Sequence, residues 1–274
     1  MRAWVNGRLL DDPEAPAVAV TDHGLTVGDG VFEAVKVVHG RPFALTRHLE
    51  RLVRSAASLG LPAPDLDQLS DAVAEVLEGE PLPLGRLRLT YTGGPAPLGS
   101  GRGDAGPTVV VVAAPLPEAP ATTAVHRVPW PRNERGVLAG VKSTSYADNV
   151  VALAEAERHG ASEAIFANLA GHLCEGTGTN VGYVVDGEVR TPSLRVGCLA
   201  GVTRALMLEW CDDLVEVDEP ITILDSADEI FLMSTTRDVQ GVHRVDGREL
   251  ESPGPVTQRL RDLWAARAAE DPDP

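Results

Sequence analysis

Residues 31–38 (VFEAVKVV) alternate across two faces and are rich in β-branched side chains, which predicts a strand. His39-Gly40 turns the chain into a second strand, 41–45. The period then changes. Leu49, Leu52, Val53, Ala56 and Leu59 fall on one stripe of a helix over 47–59, and Gly60 stands just past its end, where a left-handed residue stops a helix. A second helix is predicted over 65–78. Asp65 and Gln68 resemble a capping box, and Leu66, Leu69, Val73, Val76 and Leu77 line its apolar face. Strands follow at 85–92 and 108–113, separated by a long glycine- and proline-rich loop, 93–107.

The stretch 114–121 (APLPEAPA) breaks the pattern, and residues 116–121 are the expected linker between an N-terminal domain, 1–115, and a C-terminal domain, 122–274. Beyond it the periodicities predict a strand at 124–130, a helix at 147–159 and a strand at 163–168. A hairpin turning at Asp186-Gly187, a helix at 202–210, a strand at 229–233, a hairpin at Asp246-Gly247 and a helix at 256–269 complete the reading. Hairpins outnumber strand–helix–strand crossovers. The expected class is therefore α+β, as two domains with a cleft between them.

The 274 residues, 43% of them hydrophobic, are enough for such cores. The formal net charge of −16 repels nucleic-acid phosphates and anionic lipid, so neither is expected as a partner. The first residues lack the basic and apolar regions of a signal peptide, and no apolar run is long enough to span a bilayer. Cys174, Cys198 and Cys211 show neither metal-ligand spacing nor an even count, so no metal is expected and a reducing, cytoplasmic setting fits. Lys36 and Lys142 are the only lysines among 24 basic residues. Lysine persists where an amine is needed, because a guanidinium cannot form an imine, although chance retention fits the count equally well.

Four segments carry candidate chemistry. Lys142 precedes a helix in AGVKSTSYADN; Glu175 opens the polar turn EGTGTN; Gly201-Val202-Thr203-Arg204 opens a helix; Ser234-Thr235-Thr236 closes a strand. Singly, each reads as an ordinary surface lysine, turn, helix start or strand end. Together they supply an amine, a carboxylate and an anion-binding helix end, the groups that pyridoxal 5′-phosphate (PLP) requires. No lysine follows the glycines of loop 93–107, which excludes a P-loop.

The segments DHGLTVGDGVFEAVKVV (22–38), FALTRHLERL (43–52), the stretch from Lys142, EGTGTN and LAGVTR (199–204) resemble, in the same order, the class IV aminotransferases, or fold-type IV PLP enzymes. That family includes branched-chain and D-amino-acid aminotransferases and 4-amino-4-deoxychorismate lyases. The resemblance implies a homodimer with the cofactor in the cleft between two domains. It makes Lys142 the catalytic Schiff-base lysine and Glu175 the carboxylate on the pyridine nitrogen. It assigns the phosphate to Arg51, Val202, Thr203 and Thr236 or its neighbour Thr235, and brings Tyr146 near the cofactor hydroxyl. Phe32, Glu33, Arg88 and Arg102 are the candidate substrate contacts.

Within the family the signals divide. Gly93 stands where the D-amino-acid enzymes carry a carboxylate-binding arginine, so Arg88 or Arg102 is left to substitute. Glu33 and EGTGTN resemble transaminases, whereas Arg132-Asn133 followed by LAGVK resembles the lyases. The expected activity is transfer of an amino group from an amino donor to a 2-keto acid. The alternative is pyruvate elimination from aminodeoxychorismate to give 4-aminobenzoate.

Overall fold

A computed structural model describes residues 1–274. The chain forms two compact units, the first of Met1–Glu118 with Val141–Tyr146 and Asp273, the second of Ala119–Gly140, Ala147–Pro272 and Pro274. Lys142 therefore groups with the N-terminal residues, although the chain before Val141 and after Tyr146 belongs to the second unit.

The first unit is built on a six-stranded sheet. Its strands are β1 (Arg2–Val5), β2 (Arg8–Leu9), β3 (Gly30–Val38), β4 (Arg41–Pro42), β5 (Leu84–Thr92) and β6 (Thr108–Pro115). They run in the order β2-β1-β6-β5-β3-β4, every pair antiparallel. Alternation along β3 and β5 sends Val31, Val35, Val37, Leu87, Leu89 and Tyr91 to one face. There they meet Leu49, Leu52, Leu69, Val73 and Val76 of helices α2 (Leu45–Ser58) and α3 (Leu66–Leu77). Burying each such side chain stabilises the unit by about 1.5–3 kcal/mol. Asp65 caps α3 by accepting from the backbone of Asp67 and Gln68. A short helix, α1 (His23–Thr26), precedes β3.

The sequence reading missed the N-terminal hairpin, whose Asn6-Gly7 turn has φ of 45° and 89°. It also ran the strand after His39-Gly40 too far. Ala44 is left-handed at φ 52°, which ends the extended stretch and starts α2 at Leu45.

The second unit contains a nine-stranded mixed sheet. In chain order its elements are β7 (Thr122–Arg127), α4 (Ala147–Arg158), β8 (Glu163–Ala167), β9 (Leu173–Gly176), β10 (Asn180–Val185), β11 (Glu188–Pro192), α5 (Val202–Trp210), β12 (Leu214–Val217), β13 (Glu229–Ser234), β14 (Asp238–Val245), β15 (Arg248–Glu249) and α6 (Pro255–Glu270). The sheet runs β12-β11-β10-β13-β14-β7-β8-β9, with β15 on β14. Three pairings are parallel: β11 with β12, β14 with β7, and β7 with β8. Ala152 and Ala156 of α4 pack on Ala124, Ala164 and Phe166, and the alanines let the helix lie close to the sheet. Val181, Tyr183, Ile230, Leu232 and Val242 form a separate core. No helix of the chain is long and apolar enough to cross a membrane.

Candidate active site

In the first unit, Phe32 lies on the face of β3 opposite to the core. Register sets Phe32 against Thr90 and Ala34 against Arg88, so Arg88 is Phe32's diagonal neighbour on the same face. The Arg88 guanidinium carbon sits 3.9 Å from the Phe32 ring centroid. The segment carrying Lys142 pairs with the start of β3: Phe32 N donates to Lys142 O (3.0 Å) and Thr144 N to Gly30 O (2.8 Å). Two glycines permit this approach. A Cβ at Gly28 would lie 2.6 Å from Ser145 Oγ, and one at Gly30 would lie 3.0 Å from Thr144 Oγ1. Lys142 Nζ is held 4.5 Å from the Phe32 centroid, and the Tyr146 ring meets Phe32 edge-on at 5.3 Å. Three predicted residues, Arg88, Lys142 and Tyr146, thus gather around the ring of a fourth, Phe32.

The other first-unit candidates go elsewhere. Glu33 points to the opposite face of β3, wholly buried against α2. Arg51 grips it through Nε (2.8 Å) and NH2 (2.7 Å), and His48 Nδ1 donates to it at 2.7 Å. Burial alone would raise the Glu33 pKa, but the charge and hydrogen bonds of Arg51 and His48 outweigh it and hold it down to about 2. Burial pushes His48 below its ordinary value, against the pull of Glu33. The placement of Glu33 beside Phe32 as a substrate contact is therefore corrected: strand alternation separates the two, and both Glu33 oxygens are engaged. Arg102, also expected near substrate, closes a different contact. It binds Asp29 through Nε (2.7 Å) and NH2 (2.6 Å), and also donates to Gly60 O and Leu59 O.

The second unit brings its own candidates together. Glu175 on β9 accepts from Leu199 N at 2.8 Å, two residues before the N-cap of α5. Its other oxygen lies 3.2 Å from Arg132 Nε, an ion pair outside hydrogen-bond alignment. Asn180 Nδ2 donates to Leu199 O, and across the sheet Asn180 faces Met233, next to Ser234-Thr235-Thr236. Glu175, the start of α5 and the threonine turn are thus linked through Leu199 and Asn180. Gly201 caps α5 without a side-chain acceptor, and a Cβ there would fall 2.0 Å from Asn180 Oδ1. The first-turn N–H groups at Val202 and Thr203 form a bare positive helix end. The buried Ser234 Oγ has no hydrogen-bond partner.

Sequence patterns match these arrangements across the chain. The family model for class IV amino-transferases matches residues 30–245. A putative branched-chain-amino-acid aminotransferase of Methanocaldococcus jannaschii is 33% identical over 280 residues, covering 96% of this chain and 95% of that protein. A D-alanine aminotransferase of Bacillus licheniformis is 31% identical, covering 95% of each. The crystal structure of a branched-chain aminotransferase from Thermoproteus uzoniensis with norvaline superposes at a TM-score of 0.88, with 29% identity over 97% of this chain and 93% of that one.

The chain belongs to the class IV aminotransferases. Enzymes of this family use PLP. The residues of this class IV aminotransferase fit that cofactor on three structural grounds. Glu175 is an oriented, charge-paired carboxylate; the α5 start is uncapped by any side chain; and the only lysine besides Lys36 stands beside a ring that also carries a guanidinium.

Sequence reasoning missed the residues that brace Glu175. Arg132 stacks on Phe166 at 3.9 Å and donates to Asn149 Oδ1 (2.6 Å), while Asn149 Nδ2 donates to Thr177 O (2.6 Å). Only the polar pair Arg132-Asn133 drew attention to this corner, and for another reason. Elsewhere in the second unit, His126, Glu155 and His159 place ligand atoms within 4.8 Å of one another. The two imidazoles stack face to face at 3.9 Å and 13°, so their lone pairs lie in parallel planes and do not converge on one ion.

Proposed function

We propose that this PLP-dependent transaminase takes an apolar amino acid as donor and a 2-keto acid as acceptor, with Lys142 as its catalytic amine. The carrying observation is that Lys142 Nζ and the Arg88 guanidinium share the Phe32 ring, at 4.5 Å and 3.9 Å from its centroid. An amine that can take the α-proton and a cation that can hold an α-carboxylate are what an amino acid needs on its two sides. Phe32 and Tyr146 add apolar surface. Arg102 is committed to Asp29, and Gly93 offers no side chain, which leaves Arg88 to receive the carboxylate.

Bound PLP supplies an electron sink for the charge left when the α-proton departs. Lys142 would hold the cofactor through its ε-amine and move the proton at the substrate Cα. Glu175, held by Arg132 and Leu199 N, would accept from the pyridine N–H and keep that nitrogen protonated. Val202 and Thr203 at the start of α5, with Thr235 and Thr236, receive the phosphate. Arg51 is engaged by Glu33 within the first unit. Tyr146 would hold the cofactor's ring hydroxyl.

The same reading makes the enzyme a cytoplasmic homodimer. Val20, Leu25 and Leu98 of the first unit are 81%, 69% and 83% exposed, apolar surface that a second copy would cover.

Mixing the holoenzyme with L-leucine and no acceptor should bleach the cofactor's absorbance band, and 2-oxoglutarate should restore it. Borohydride should fix the cofactor on the peptide containing Lys142. If neither L- nor D-amino acids bleach the band while aminodeoxychorismate yields 4-aminobenzoate and pyruvate, the transaminase reading gives way to the lyase.

A further inference from the structure

Glu163 is the first residue of β8, and its side chain is 3% exposed. A carboxylate this deeply buried needs partners on both oxygens. Oε1 accepts from Thr177 Oγ1 at 2.5 Å and from Gly178 N at 2.8 Å, two residues of the turn that follows Glu175. Oε2 lies 3.2 Å from Arg237 NH2. Arg237 directly follows Thr235-Thr236, and its other donors are fixed on Ser162 Oγ (3.0 Å), Ser162 O (2.9 Å) and Gln240 Oε1 (2.8 Å). The turn is packed hard onto this carboxylate: a Cβ at Gly176 would sit 2.7 Å from Glu163 Oε1 and 2.3 Å from Thr179 Oγ1. One side chain thus joins the turn after Glu175 to the turn after β13.

We propose that Glu163 is a positioning residue that fixes the pyridine-binding and phosphate-binding turns of the second unit at one spacing, so that they receive PLP together. The proposal rests on the reading of Glu175, Thr235 and Thr236 given above. Glu163 itself touches neither end of the cofactor in this scheme. It acts through Thr177 and Gly178 on one side and Arg237 on the other. Its two oxygens are needed because both sides are donors. A carboxamide keeps the shape but turns one acceptor into an NH2 group, which must then face either Arg237 or the Thr177–Gly178 pair, donor against donor.

The test compares wild type, Glu163→Gln, Arg237→Gln and the double variant. Each is read by PLP titration of the apoenzyme, by visible circular dichroism of bound PLP, and by the thermal midpoint of the apoprotein. Glu163→Gln should weaken PLP binding about tenfold or more and alter the dichroism. Its apo midpoint should also fall, because a buried donor is left unmet, and Arg237→Gln should act in the same direction. The double variant should lose little beyond Glu163→Gln alone, because both changes cut one strut. The proposal is overturned if PLP affinity and dichroism match the wild type in both single variants. It is equally overturned if affinity falls while the bound PLP keeps the wild-type dichroism, the mark of a residue that stabilises the unit without setting the spacing of its turns. If Glu163→Gln does not fold, Arg237→Gln decides alone by the same readouts. Failure of wild type to take PLP on Lys142 would instead strike the cofactor assignment itself, an outcome this series separates from the first two.

Discussion

At the scale of single residues, two charge-paired carboxylates do different work. Glu175 has one oxygen on a backbone N–H and the other beside Arg132, which keeps a negative charge ready for a ring nitrogen. Glu175→Gln should retain PLP but lose one to two decades of half-reaction rate, since a charged hydrogen bond of this kind is worth about 1.5–3 kcal/mol. Stopped-flow absorbance would show it, and a near-wild-type rate would remove Glu175 from the role. Glu33 serves stability. Its pKa is held down to about 2 from an ordinary value of 4.5, so its contribution is fully present above pH 4.5 and fades as pH falls through about 2. Urea unfolding of wild type and Glu33→Ala should therefore differ by about 3–5 kcal/mol near neutrality, and the gap should close in strong acid. A gap independent of pH would mean that Arg51 and His48 do not hold Glu33 ionised. The sequence displayed Glu175 through its polar turn. It did not display the brace of Arg132, Asn149 and Glu163, because those contacts depend on which strands and helices become neighbours, and no local pattern encodes that.

Among the elements, the amphipathic stripe of α2, the Asp65 cap of α3 and the Asp-Gly hairpins were legible, because each is a local rule obeyed locally. The four-residue strands β1 and β12 were not, being too short to show a period. Loop 93–107 looked structureless in sequence, yet Arg102 ties it to Asp29, which precedes β3, and to the carbonyls that close α2. Arg102 lowers the Asp29 pKa, chiefly by its hydrogen bonds. Arg102→Ala should free the loop. Limited proteolysis between 93 and 107 should speed up several-fold while the global unfolding midpoint moves little, because local opening precedes global unfolding. Unchanged cleavage would show that the loop is held by its other contacts.

For the molecule as a whole, the α+β class followed from counting hairpins against crossovers, and the family followed from five short segments in order. What the count could not supply was strand order. Parallel pairings such as β14 with β7 join residues more than a hundred positions apart, and only packing of the finished sheet selects them. The two signals that pulled toward different members of the family are also reconciled at this scale. Arg132 and Asn133, which resembled the lyases, brace Glu175 and cap the backbone of Arg135, tasks that transaminase and lyase chemistry share.

The six residues Val141–Tyr146 belong to the first unit while the chain on both sides of them belongs to the second. This has a consequence for recombination between relatives. A chimera spliced once, near residue 118, would take Lys142 from one parent and the β3 edge that receives its backbone from the other. The glycines at 28 and 30 would then face a foreign Thr144 and Ser145. Two further breakpoints, at 140/141 and 146/147, keep the lysine with the strand that fits it. The heritable module is therefore discontinuous, and libraries shuffled along these three seams should keep more active members than libraries cut once.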